Sequence, residues 1–88
     1  MKVLILYRPQ SETARRVDEF VHEFQRLYPG KSIDVLDIDT AAGTTLVDLY
    51  DITSQPAVLA LKDDRQLIQS WIGDQLPLMN EIAYYANA

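Results

Sequence analysis

The side chains that do most protein chemistry are scarce in this chain. Its 88 residues contain no cysteine and a single histidine, His22. Without thiols there is no disulfide, no thiolate nucleophile and no thiolate metal ligand. Ser11 stands where a helix can begin. Its hydroxyl either caps a free amide of the first turn or donates a hydrogen bond to a ligand thiolate or carboxylate held at a helix amino terminus. Serine as a nucleophile needs a general base, and His22 falls on the polar face of that same helix. His22 with Glu19 and Glu23 reads as solvated surface charge and not as a metal set. Asp34, Asp37 and Asp39 alternate on one face of a strand and could be taken for a cation site, but they read as an acidic, solvated sheet edge, because no loop supplies the further oxygens calcium requires. Arg8 is either a surface charge or an anchor for a ligand carboxylate. No cofactor or metal is implied.

Length and composition narrow the classes further. Eighty-eight residues make one domain, with a core that must use most of its apolar side chains. Eight basic against thirteen acidic residues give a net charge of −5, which opposes binding to nucleic-acid phosphates. Arg15-Arg16 is flanked by Glu12, Asp18 and Glu19, so no basic patch offsets it. The run Val3–Tyr7 is too short for a secretory leader, and no run approaches the ~20 apolar residues of a membrane span. The expectation is a cytoplasmic protein with no membrane partner. The oligomeric state is left open.

Seven elements are needed to position the candidate residues. Val3–Tyr7 is a continuous apolar run, the pattern of a strand buried on both faces. Ser11 to Leu27 or Tyr28 is an amphipathic helix, with Ala14, Val17, Phe20, Val21, Phe24 and Leu27 on the buried stripe, and Pro29-Gly30 stops it. Glu12→Arg16 and Asp18→His22→Arg26 are its supportive pairs. Ser32–Asp39 is a second strand, parallel to the first, whose apolar phase slips at Val35-Leu36; a twist, a bulge or two-sided burial would explain that. Thr40–Gly43 reads as loop, with Thr44 or Thr45 capping a short helix through Tyr50. Ala57–Leu61 and Gln66–Ile72 are strands around a polar hairpin loop, Lys62–Arg65. A last helix starts near Pro77 and buries Leu78, Met79, Ile82, Ala83 and Ala86. Of the adjacent Tyr84 and Tyr85, at least one must be partly exposed.

The segment Leu46-Val47-Asp48-Leu49-Tyr50-Asp51-Ile52-Thr53-Ser54-Gln55-Pro56-Ala57-Val58 resembles the thioredoxin/glutaredoxin pattern, in which a helix ends, turns and launches a strand from a proline. Leu36–Asp39, the charged hairpin and Gly73 are also similar, and Leu6-Tyr7-Arg8-Pro9-Gln10-Ser11 resembles the run leading into a glutaredoxin active site. The resemblance implies an α/β fold of order βαβαββα. Its four-stranded mixed sheet would have the order 2-1-3-4 and be covered by helices. It puts Ser11-Glu12-Thr13-Ala14 where the family carries Cys-x-x-Cys, so thiol–disulfide exchange is excluded. It also implies a cis bond before Pro56, with the backbone of Gln55 directed outward to pair with an extended peptide. Arg8, Gln10, Ser11, Ser54, Gln55 and Pro56 would line that groove. The implied function is a redox-inactive module for a protein or peptide partner. An alternative is glutathione or a similar anionic ligand in the same groove, with Ser11 on its thiol and Arg8 on a carboxylate. A third is a structural subunit that uses the last helix.

Overall fold

The computed structural model describes residues 1–73 and 75–86. The elements are β1 (Lys2–Tyr7), α1 (Ala14–Leu27), β2 (Asp34–Asp37), α2 (Ala41–Leu49), β3 (Ala57–Leu61), β4 (Leu67–Ile72) and α3 (Met79–Tyr85). The sheet has the order β2-β1-β3-β4, with β1 and β2 parallel and the other neighbours antiparallel. Element order and sheet order are those the resemblance implies.

Alternation along the central strands builds two cores. Val3 and Ile5 of β1 and Val58 of β3 face α1 and α3, where they meet Val17, Phe20, Phe24, Ile82, Ala83 and Ala86. Leu4, Leu6, Ala57, Leu59 and Leu61 face the other way, against Leu46, Val47 and Tyr50 from the α2 side. Every β3 residue is buried, as expected for a strand with neighbours on both edges and helices on both faces. Phe24 is fully buried, which contributes roughly 1.5–3 kcal/mol relative to leaving it in water.

The phase change in β2 has a simple cause. Ile33 and Val35 pack into the α1/α3 core, while Leu36 and Ile38 pack against the α2 core. Odd and even positions keep to their own faces throughout, and the pairing with β1 runs unbroken from Asp34 to Asp37. Burial passes from one face to the other; no bulge is needed.

Several local expectations are corrected. The regular helix α1 begins at Ala14, after a turn closed by Ser11 N→Arg8 O (3.1 Å) and Ala14 N→Ser11 O (3.2 Å), so Ser11 is not its N-cap. Leu27 is 45% exposed and leaves the buried stripe. On α1 Arg15 pairs with Glu19 and Arg26 with Glu23, and Asp18 accepts from the Tyr7 hydroxyl in place of the expected Asp18→His22→Arg26 series. The helix α2 starts at Ala41, because Thr40 supplies the cap: its Oγ1 accepts from Gly43 N at 3.0 Å. The turn Thr40–Gly43 is therefore the start of a helix and not a loop. Gly43 is required there, since a Cβ would stand 2.0 Å from the Asp37 carbonyl oxygen. Pro77 precedes the N-cap residue Leu78 of α3, and Leu78 is 66% exposed.

Candidate functional site

The register places one end of the sheet under all the candidate residues. Leu6 lies opposite Ala57, Tyr7 opposite Asp37, and Ala57 opposite Ile72. The chain leaves this end after Tyr7, leaves it again after Asp37, and re-enters through Gln55-Pro56. The Gln55–Pro56 peptide bond is cis. Pro56 is buried, and its carbonyl accepts from Gly73 N at 2.9 Å. Gly73 has φ of 102°, a backbone state that favours glycine, so the exit of β4 is fixed against the entry of β3.

A short hydrogen-bond chain ties the loop after β1 to the turn before β3. The Gln55 side-chain oxygen accepts from Arg8 N (3.3 Å) and from Thr13 Oγ1 (3.2 Å). Thr13 Oγ1 lies 3.1 Å from Ser11 Oγ, and Ser11 Oγ donates to the Arg8 carbonyl at 2.7 Å. With the Ser11 proton on the Arg8 carbonyl and the Thr13 proton on Gln55, none is left for the Ser11–Thr13 approach, and both hydroxyl oxygens keep lone pairs that can accept from a ligand donor. Four of these residues, Arg8, Ser11, Thr13 and Gln55, are brought together across 47 positions of sequence. Thr13 was not singled out from the sequence; it shares the Ser11–Ala14 stretch, and only the fold shows its hydroxyl turned to Gln55.

The remaining candidates fall around this chain. Gln10 and Ser54 are exposed and make no hydrogen bond to another described residue. The backbone groups of Thr53, Ser54 and Gln55 likewise meet no partner among the described residues. Arg8 is not a free anchor. Its guanidinium grips Asp39, with Nε to Oδ2 at 3.1 Å and Nη2 to Oδ1 at 3.4 Å. Both side chains are more than half exposed, so the pair is worth at most about 1 kcal/mol. Asp39, read from the sequence as part of an acidic sheet edge, is instead the partner of Arg8. Its position is set by Asp37, whose Oδ1 accepts from Asp39 N at 2.8 Å in a tight turn. Asp34 points elsewhere, 3.8 Å from Lys2 Nζ. The three aspartates thus have separate roles, and no metal-binding cluster occurs among the described residues.

Beside the site Tyr7 donates its hydroxyl proton to Asp18 Oδ1 at 3.2 Å. Its phenol is held above the usual tyrosine value, chiefly by burial, then by that hydrogen bond and by the charges of Asp18 and Asp37. It stays a neutral donor across physiological pH. The described partners of the Ser11 hydroxyl are the Arg8 carbonyl and the Thr13 hydroxyl, neither of which is a general base that would activate it.

Two hollows lie elsewhere on the molecule. One of about 690 Å³ runs along the edge of β2 beside α2, and one of about 490 Å³ lies between β4 and the start of α3. None of the six candidate residues lines either. At the Gln55-Pro56 end Thr53 and Ser54 are exposed, Gln55 is half-buried and Pro56 is buried.

No family model matches this chain, and none of the curated proteins does. Solved structures do. Mitochondrial thioredoxin 3 of Saccharomyces cerevisiae, in its oxidised form, is similar with a TM-score of 0.68 and 18% identity, over 93% of this chain and 72% of that one. Oxidised thioredoxin O1 of Arabidopsis thaliana gives 0.68 and 16%, over 94% and 71%. A malarial protein gives 0.63 and 19%, over 94% and 89%. At these identities the likeness is one of fold. The fold is thioredoxin-like, and the chain, having no cysteine, lacks the Cys-x-x-Cys motif.

Proposed function

We propose that this thiol-free, thioredoxin-like domain holds an extended segment of a partner protein across Gln55-Pro56 and the turn that precedes α1. The observation that supports this most is the open run Thr53–Gln55. Its backbone groups have no partner among the described residues, and it stands beside the Arg8–Ser11–Thr13–Gln55 hydrogen-bond chain. A peptide laid along it gains main-chain hydrogen bonds without any rearrangement of the core. The exposed side chains of Ser54, within the run, and of Gln10, in the loop after β1, supply contacts to the partner's side chains. A net charge of −5 works against a nucleic-acid partner. No helix among the described residues is long and apolar enough to cross a membrane, and the reading places the domain in the cytoplasm.

The Arg8–Asp39 pair weighs against glutathione as the natural occupant, because Arg8 would have to leave or share its carboxylate to receive another. Affinity capture from lysate with wild type, Ser54→Arg and Ser11→Arg tests the proposal. Ser54 is exposed and free of hydrogen bonds, so its substitution blocks the run without disturbing the fold. A partner held by wild type and lost from both variants supports the reading. A partner held equally by all three moves the interaction to another face. Glutathione at millimolar concentration should leave the melting temperature unchanged; a ligand at one hundred times its Kd would instead add about 2.7 kcal/mol.

A further inference from the structure

The two edges of the sheet are guarded very differently. The outer strand β2 carries Asp34 and Asp37, the inward-and-outward charges that keep edge strands from pairing. The strand β4, Leu-Ile-Gln-Ser-Trp-Ile, has no charged residue and no proline. Leu67, Ile68 and Ile72 are 39%, 36% and 43% exposed. Its one irregularity lies at the Leu67 end, where the register with β3 shifts between Ala60 and Leu61; from Gln69 to Ile72 the strand is regular.

The direction of its backbone groups follows from one bond. In an antiparallel pair, residues alternate between those whose N–H and C=O face the neighbour and those whose groups face away. Gly73 N donates to Pro56 O, so that pair is of the bonded kind. Counting through Ala57↔Ile72, Val58↔Trp71 and Leu59↔Ser70, the groups of Trp71 face β3 and those of Ser70 and Ile72 face outward. Ser70 N agrees: it meets the side chain of its own neighbour, Gln69 Oε1, at 3.2 Å. A flexible surface carboxamide stands in where a neighbouring strand would accept.

We propose that β4 pairs antiparallel with β4 of a second copy of this chain, about a two-fold axis at Ser70, joining the two sheets into one. Outward groups then meet outward groups. Ser70 N–H donates to the Ser70 carbonyl of the second copy and receives in return, and Gln69 swings free. The same register lays Ile72 of each copy beside Ile68 of the other and Gln69 beside Trp71, so the exposed isoleucines cover one another. Charge argues for a like partner. A basic or acidic peptide finds no opposite charge on this strand to recognise. Two copies at −5 repel over most of their surface, and an uncharged edge is where they meet at least electrostatic cost. Closure about a two-fold also leaves no free β4 to recruit further chains.

Analytical ultracentrifugation of the whole chain at high micromolar concentration tests this, with Ile72→Lys and Ser70→Pro run beside wild type. Wild type should sediment at twice the 10.0 kDa of one chain, and both variants at 10.0 kDa with unchanged far-ultraviolet circular dichroism. Ile72 is exposed, so Ile72→Lys answers even if the proline variant fails to fold. Amide exchange at Ser70 and Ile72 should slow as wild type is concentrated. A wild type that stays at 10.0 kDa, or a dimer that survives Ile72→Lys, overturns the proposal.

Discussion

The proposed site rests on a few side chains joined by hydrogen bonds at one end of the sheet. Ser11 is the clearest case. The sequence allowed it to cap α1 or to touch a ligand; its hydroxyl in fact bonds the Arg8 carbonyl and lies against Thr13. Ser11 and Ala14 nonetheless bracket one tight turn, joined by Ala14 N→Ser11 O at 3.2 Å. A turn of that kind holds its end α-carbons within about 7 Å, which overlaps the spacing a disulfide spans. Ser11→Cys with Ala14→Cys should therefore lose both free thiols on mild oxidation, as read by thiol titration. Two thiols that stay titratable would mean the missing motif has been set on the wrong residues. Tyr7 gives a prediction in pH. Its folded phenol titrates above the ordinary tyrosine value, so the unfolded chain loses that proton first as pH rises. The stabilisation is complete below the unfolded value near 10 and is lost as pH climbs through the raised folded one. Chemical denaturation across that range should show Tyr7→Phe losing less stability with rising pH than wild type. Equal slopes would remove the Tyr7–Asp18 bond from the account.

At the scale of elements, most of the fold was legible in the residues. Val3–Tyr7 and Ala57–Leu61 are continuous apolar runs, and both are central strands. The stripe of α1 was readable because helical spacing and burial coincide at Val17, Phe20 and Phe24. What failed was local. Thr40–Gly43 carries no apolar periodicity, so its helical start was hidden; it depends on Thr40 capping the helix and on Gly43 passing close to the Asp37 carbonyl, a tertiary contact that leaves no pattern in sequence. Two substitutions test this cap. Thr40→Ala should cost about 1 kcal/mol, the usual loss of an N-cap. Gly43→Ala should cost about 1–3 kcal/mol or more, because the clash is with backbone. For a domain of this size that is a fall in melting temperature of several degrees to about 20 °C. An unchanged melting temperature for Gly43→Ala would contradict the close approach of α2 to β2.

For the whole molecule, what decides where a partner can add a strand is where polar backbone is left open. Helices on both faces bury the central strands, so the sheet can offer its own backbone to a partner only at its edges and at the end at Gln55-Pro56. That end could be named from sequence only through the resemblance around Pro56. The partnership of Gln55 with Arg8 and Thr13 joins residues far apart in the chain, and Asp39 reaches Arg8 only because β2 runs parallel beside β1. Absent thiols exclude thiol–disulfide exchange and the acidic overall charge works against nucleic-acid phosphates, but neither chooses a partner. The most direct measurement is an amide chemical-shift map of the isotope-labelled domain, titrated with a peptide selected on it from an unbiased library. The peptide-holding account predicts shifts concentrated at Arg8, Ser11, Thr13 and Ser54-Gln55, abolished by Ser54→Arg. Shifts confined to the hollow beside β2 and α2, or to the face of α3, with the Gln55 amide unmoved, would contradict it.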